Sequence, residues 1–170
     1  MFNTYITGTL IPERGTIVRL TRYTDYAMRV LIYLGARPDQ VCSISDIANG
    51  YGVSQNHLMK VVHDLGKAGY VAGVRGRSGG VRLAMPPDRI NIGAVVRHAE
   101  GEPPLADCDA CSISSACALS SIFDQAKRAM FAVLDRHTLA DILGDPEPLI
   151  RLLGANPSKK AASLSLNEAK

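Results

Sequence analysis

The sequence predicts a mostly α protein with one small β-hairpin, arranged as a winged helix-turn-helix domain followed by a long dimerisation helix. Three observations predict this fold class: capped segments with apolar residues at helical spacing, a glycine-rich hairpin after the third of them, and a heptad-like pattern near the C-terminus. The 170 residues suit one domain of ordinary size. Their longest apolar runs are far shorter than the about 20 residues that a membrane span needs.

Charge is unevenly distributed along the chain, although its net value is only +3. Residues 19–82 carry nine Lys/Arg and four Asp/Glu, whereas residues 88–147 carry five Lys/Arg and ten Asp/Glu. A basic front half joined to an acidic back half is typical of an anion-binding module attached to a separate sensing or oligomerising module. The N-terminus lacks the features of a secretory signal, so we expect a cytoplasmic protein.

The first helix is expected to begin after Thr24, a suitable N-cap, and to end at Gly35 and Pro38. The residues before Val18 show no helical or strand period. We interpret residues 1–17 as an arm or as the product of an upstream start site.

A helix-turn-helix is predicted next. Ser43 or Ser45 can cap a short helix, and the glycine-containing residues 49–52 supply a turn. Ser54 can cap a longer helix with one apolar face, and Gly69 suits the left-handed residue that ends it.

A wing is predicted after that helix. Tyr70 begins a strand, Leu83 ends the returning strand, and the tip at residues 75–80 is basic and glycine-rich. Short polar side chains at an exposed helix N-terminus can reach base edges, and arginines on such a tip fit a narrow minor groove. The pattern therefore predicts double-stranded DNA as a partner. The candidate DNA-binding residues are Ser54, Gln55, Asn56, His57, Lys60, Arg75, Arg77 and Ser78.

Three of the four cysteines, Cys108, Cys111 and Cys117, lie close together in a polar loop. In a cytosolic chain such a C-x2-C-x5-C cluster more often binds metal or does redox chemistry than forms structural disulfides. Zinc is possible, because C-x2-C is a common half of a zinc site, but this chain has no second cysteine pair to complete it. An iron–sulfur cluster held by three thiolates and one weaker ligand is the better fit. A disulfide switch is the third alternative.

A helix of about 20 residues is predicted after the cysteines, and its apolar residues repeat every seven positions. This pattern is typical of a helix that packs along a long partner helix, so we expect a homodimer. A core helix of the same protomer is the alternative. The two repeating sets are Leu119, Ala126 and Val133, and Phe123, Met130 and His137.

Catalysis finds little support, and we expect no enzyme. No G-x-S-x-G nucleophile motif is present, and no pair of carboxylates frames a pocket. An electron-transfer or cluster-carrier protein is the alternative from another functional class. The predicted parts are 1–17 as an arm, 18–100 as the winged helix-turn-helix DNA-binding domain, 101–118 as the cluster-binding loop, 119–153 as the dimerisation and C-terminal helices, and 154–170 as a disordered tail.

The sequence resembles the iron–sulfur winged-helix repressors of the NsrR/IscR type from about Val18 to Leu153. The resemblance is carried by the three cysteines and by the segments LTRYTDYAMRVLIYLG, SISDIANGYGVSQNHLMKVVHDLGKAGYV, VRGRSGGVRL and TLADIL. The nitric-oxide-sensing repressors are the more similar branch. Ser120 and Ser121 stand where the iron–sulfur assembly regulators carry a histidine ligand.

The resemblance implies a homodimer in which Cys108, Cys111 and Cys117 hold a 4Fe-4S or 2Fe-2S cluster, with the partner's Asp25 as fourth ligand. Intact clusters would keep two recognition helices in register on a palindromic operator, and nitrosylation by nitric oxide would release the DNA. The first two cysteines are closer together than the family usually has them, which implies an altered cluster. A same-fold regulator that senses iron, cluster supply or redox state is the alternative.

Overall fold

The structure is a computed structural model that describes residues 19–38, 40–76 and 79–154. The expected class, mostly α with one antiparallel hairpin, is confirmed. The predictions for residues 1–17, for Arg77 and Ser78, and for the tail from residue 155 lie outside the described residues. The elements are α1 (Arg22–Gly35), α2 (Ile44–Tyr51), α3 (Gln55–Lys67), β1 (Val71–Val74), β2 (Gly80–Leu83), α4 (Ile92–Glu100), α5 (Leu119–Leu134), α6 (Leu139–Leu143) and α7 (Glu147–Gly154).

Helix α1 begins three residues earlier than the sequence predicts. Its N-cap is Thr21, whose side-chain oxygen accepts a hydrogen bond from the Thr24 amide at 3.3 Å. Thr24 is fully buried, and its hydroxyl donates to the carboxylate of Glu100 at the end of α4. The prediction of Thr24 as the cap is therefore wrong. A buried threonine that joins two helices has the same local sequence signature as a cap.

Helices α2 and α3 form the predicted helix-turn-helix. Ser43 caps α2 through a capping box: its hydroxyl accepts from the Asp46 amide at 3.0 Å, and its own amide donates to the Asp46 carboxylate at 3.1 Å. Helix α2 continues to Tyr51, so the turn begins later than predicted. Gly52 makes it with φ of 64°, a conformation that glycine adopts without steric cost.

The wing is fastened to the loop that precedes α2. Strands β1 and β2 pair in antiparallel register, and Cys42 forms a further bridge to Val81. The two backbone hydrogen bonds of this bridge measure 2.9 and 2.8 Å. A Cβ at Gly80 would lie 2.5 Å from the Cys42 carbonyl oxygen, so this close approach requires glycine. The base of the wing is therefore fixed to the helix-turn-helix.

The core lies among α1, α2, α3, α4 and α6, and α5 lies along its edge. Helix α5 has 16 residues, of which only Phe131 is buried. It ends at Leu134, so the prediction that His137 continues the second repeating set of this helix is wrong. Among the described residues, none of the helices has both the length and the apolar character to cross a membrane.

Candidate functional site

The start of α3 forms one exposed polar surface. Ser54 occupies the N-cap position, but its side chain makes no capping hydrogen bond. Because the apolar face of α3 is buried in the core, the polar residues of its first two turns face outward together. The predicted DNA-binding residues on this surface, all exposed, are Ser54, Gln55, Asn56, His57 and Lys60.

The wing carries the rest of the predicted DNA-binding residues. Arg75 follows β1 and is exposed. The Gly79 amide donates to the Gly76 carbonyl at 3.0 Å and closes the tip. Arg77 and Ser78, between these glycines, lie outside the described residues.

A groove of about 310 Å³ separates α1 from α3. The Tyr26 ring stacks on the His57 ring, with centroids 6.2 Å apart and planes inclined by 21°. Sequence reasoning missed the contribution of α1. The i, i+4 pair Arg22 and Tyr26 was the available signal, since such residues share one helix face. The groove is lined by Arg22, Tyr23, Tyr26, Asn56, His57, Lys60 and Val61.

The cysteine loop, residues 101–118, is a series of turns around three unpaired thiols. The Cys111 amide donates to the Cys108 carbonyl at 3.2 Å, and the Cys117 amide donates to the Ser114 carbonyl at 3.4 Å. Cys111 is exposed, and the other two cysteines are half-buried. Within the described part of the chain, no three Cys, His, Asp or Glu side chains converge enough to hold a metal ion.

The surroundings of Cys108 favour a neutral thiol unless a cation is present. Desolvation raises the pKa of Cys108, and the nearby thiols of Cys111 and Cys117 and the carboxylates of Asp109 and Asp107 raise it further. A bound metal ion reverses this balance, because it stabilises the thiolate directly. Three soft donors in a short loop fit iron or an iron–sulfur cluster, and they leave one ligand to come from elsewhere.

Asp25 is not grouped with the thiols in any metal-binding set among the described residues. It lies in the first turn of α1, where its carboxylate pairs with Arg29 at 2.9 Å. The Arg29 guanidinium lies 5.5 Å from the centroid of the Tyr51 ring. The Asp25 side chain remains 47% exposed, so a second protein chain can reach its carboxylate.

The last turn of α4 connects the cysteine loop to α1. Glu100, the final residue of α4, accepts hydrogen bonds from the Thr21 amide at 2.7 Å and from the Thr24 hydroxyl. Both donors belong to the start of α1, which also carries Asp25. The residue next to the cysteine loop therefore holds the helix that bears the candidate fourth ligand.

The same turn of α4 also contacts α3. The Nε2 atom of His98 lies 2.9 Å from the Asp64 carboxylate, which also accepts from the Tyr23 hydroxyl. The Tyr23 hydrogen bond is the main cause that lowers the pKa of Asp64, and the His98 hydrogen bond adds to it. Burial and the Asp64 carboxylate raise the pKa of Tyr23. Helices α1, α3 and α4 therefore share one polar contact at Asp64.

Comparison with known proteins identifies the class of this chain. A family model described as "Rrf2: Iron-dependent Transcriptional regulator" matches residues 20–145. The chain belongs to the Rrf2 family. The family resemblance seen in the sequence is confirmed, and the relatives that the comparison finds are transcriptional regulators.

Individual relatives agree with this assignment. The Rrf2 chain is 46% identical over 142 residues to the "HTH-type transcriptional regulator NsrR" of Bacillus subtilis, covering 80% of this chain and 97% of that protein. The structure titled "T. potens IscR" matches with a TM-score of 0.63 and 29% identity, covering 75% and 87% of the two chains. "Crystal structure of Staphylococcus aureus CymR oxidized form" matches with a TM-score of 0.62 and 29% identity, covering 74% and 96%.

Proposed function

We propose that this Rrf2 chain is a cytoplasmic DNA-binding repressor whose cysteine loop holds an iron–sulfur cluster that senses nitric oxide. The observation that carries the proposal is a chain of contacts at the end of α4, next to that loop: Glu100 contacts α1, and His98 contacts α3. The iron-dependent family description and the NsrR-named relatives support it. The sequence features that resemble nitric-oxide-sensing repressors support the signal.

The outer face of α5 supports a homodimer. Five of its exposed apolar residues are spaced alternately by three and four positions, which is the spacing of the seam in a helix pair. A continuous apolar stripe on the surface is typical of a protein–protein interface. The α5 helix of a second copy of this chain matches the stripe in length and pattern. The inner face of α5 packs against the core of its own protomer through residues such as Met130. The stripe comprises Leu119, Ile122, Ala126, Ala129 and Val133, of which Leu119, Ile122 and Val133 are 45%, 55% and 47% exposed.

A homodimer would present two α3 helices to double-stranded DNA. Recognition helices about 34 Å apart enter successive major grooves, so the operator would be a palindrome. Gln55 and Asn56 would read base edges, whereas Lys60 and Arg75 would contact phosphates.

The chain's own residues would transmit the signal. Cys108, Cys111 and Cys117 would hold the cluster, with the partner's Asp25 as fourth ligand, and the bound cluster would supply iron that reacts with nitric oxide. Release of these ligands would free the cysteine loop and weaken the hold of Glu100 on α1. A loss of about 2.7 kcal/mol in positioning would raise the dissociation constant for operator DNA about 100-fold.

The test uses the full-length dimer, reconstituted anaerobically, in a mobility-shift assay on palindromic operator DNA. We expect the dimer to bind the operator tightly before nitric oxide is added and weakly afterwards. In the Cys117→Ser variant we expect the absorption band of the cluster to be lost. Cys42→Ala is the matched control, because Cys42 is buried in the wing base, away from the cysteine loop. Equal DNA binding before and after nitric oxide would overturn the proposed signal.

The iron-dependent family description also favours a second candidate, a repressor of the same fold that responds to iron supply or redox state. An iron chelator and a mild oxidant, added in the same assay, separate the candidates. Release by either reagent, with no response to nitric oxide, would select the second candidate. A cluster-bearing protein with no affinity for any duplex would instead be an electron-transfer or cluster-carrier protein.

A further inference from the structure

We propose that the groove between α1 and α3 is a further DNA-backbone site, in which Arg22 and Tyr26 act with Lys60 to hold one phosphate. The inference rests on the proposed DNA-binding function and extends it to α1. None of the DNA-contact residues that the sequence predicts lies on α1.

The groove has the chemistry of a phosphate site. Arg22 and Lys60 contribute cations from its two walls, and Tyr26 and Asn56 add neutral hydrogen-bond donors. Among the described residues, no carboxylate lines the groove, and neither cation forms an ion pair. Arginine and lysine together suit a phosphate, since one gives a planar fork of donors and the other a compact charge.

The carboxylates on the two helices are already engaged. Asp25, the single acid of α1, pairs with Arg29 at 2.9 Å. Asp64, the single acid of α3, accepts from Tyr23 and lies 2.9 Å from the His98 ring. Arg22 and Lys60 therefore have no carboxylate partner among the described residues, which favours an anion between them.

The groove adjoins the residues that would read bases. Asn56 and His57 line it and also belong to the exposed polar surface of α3. The stack between Tyr26 and His57 joins α1 to that surface. A phosphate bound here would lie beside the major-groove contacts, where backbone contacts set the register of base reading.

The position of the groove would let α1 contact both the DNA, through Arg22, and the partner's cluster, through Asp25. Arg22 precedes Asp25 by three residues, so the phosphate-binding and candidate cluster-ligand residues belong to one helical turn. The buried face of α1 includes Ala27, Val30 and Leu31, which fix the helix in the core. A shift of Asp25 would therefore move Arg22 with it.

The experiment measures operator affinity of the full-length, cluster-loaded dimer by fluorescence anisotropy between about 50 and 200 mM salt. Each lost phosphate contact lowers the slope of log K against log salt by about 0.9. We expect Arg22→Gln to lower that slope by up to about 1.8 for the two subunits, since Lys60 remains near the phosphate, and to weaken binding about tenfold. Tyr26→Phe should weaken binding less and leave the slope unchanged.

Arg128→Gln is the matched control, because it removes the same charge from an exposed position of α5 outside the apolar stripe. Its slope should equal that of the wild type. An unchanged slope in Arg22→Gln would overturn the phosphate site, while wild-type binding would still support the proposed function. Absence of wild-type binding would instead reject the proposed function. Inorganic phosphate and chloride are also compared as competitors of operator DNA. If phosphate displaces the DNA at a much lower concentration than chloride does, the groove is a site for free anions, and the inference is overturned.

Discussion

The reading head, residues 19–100, and the cysteine loop are built in opposite ways. The head surrounds side chains with no exposed surface, such as Val30 and Leu58, and polar contacts join its helices. In the cysteine loop no residue is buried, and the backbone hydrogen bonds close single turns. A region with few buried contacts opens at low free-energy cost. The packing of the head therefore specifies its structure, whereas the loop's own contacts specify its structure only weakly.

The largest expected effect is on the free energy of unfolding, when the same Leu→Ala substitution is made in the head and in the loop. Leu58→Ala removes a fully buried side chain from the head, and Leu105→Ala removes a 42% exposed one from the loop. We expect the free energy of unfolding to fall by about 2–5 kcal/mol for Leu58→Ala, because a cavity remains. For Leu105→Ala the change should stay within about 0.5 kcal/mol. Urea denaturation followed by circular dichroism measures both, and equal losses would contradict the comparison.

The same contrast explains which features the sequence predicts. The start of α3 at Ser54 and the left-handed Gly69 depend on local chemistry, and the structure has both. The choice between Thr21 and Thr24 as the cap depends on Glu100, 76 residues away from Thr24. The groove between α1 and α3 likewise requires knowledge of which helices pack together. The ligand geometry proposed for the cysteines would depend on the cluster and on the partner's Asp25, which lie outside the single chain.

A second test concerns α5. Its inner face packs against the core, whereas its outer apolar stripe is exposed. Ile122→Glu places a charge in the proposed seam, where no partner for it is provided. We expect the dimer dissociation constant to rise about 100-fold, equivalent to about 2.7 kcal/mol, as measured by analytical ultracentrifugation. Gln125→Glu adds the same charge to an exposed residue outside the stripe and should leave the constant nearly unchanged. Identical constants for the two variants would place the dimer contact elsewhere.

The smallest expected effect is a pH dependence of the head. The hydrogen bond from Tyr23 lowers the pKa of Asp64 below its ordinary value of 3.8, so the unfolded chain binds the proton more readily than the folded one. Asp64 therefore stabilises the fold above about pH 4, and this contribution is lost as the pH falls through the folded-state pKa. The effect is small because the Asp64 side chain is 39% exposed and solvent screens its charge.

The Asp64→Asn variant isolates this contribution. Its melting temperature should be lower than that of the wild type at pH 7, and the difference should narrow as the pH falls from about 4 toward 2. Asp88→Asn, at an exposed position outside the polar contact at Asp64, is the matched control and should follow the wild-type curve. Calorimetric scans at each pH measure the three curves. A difference that widens in acid would mean that protonated Asp64 stabilises the head more than the carboxylate does, and the contact among α1, α3 and α4 would then not depend on its charge.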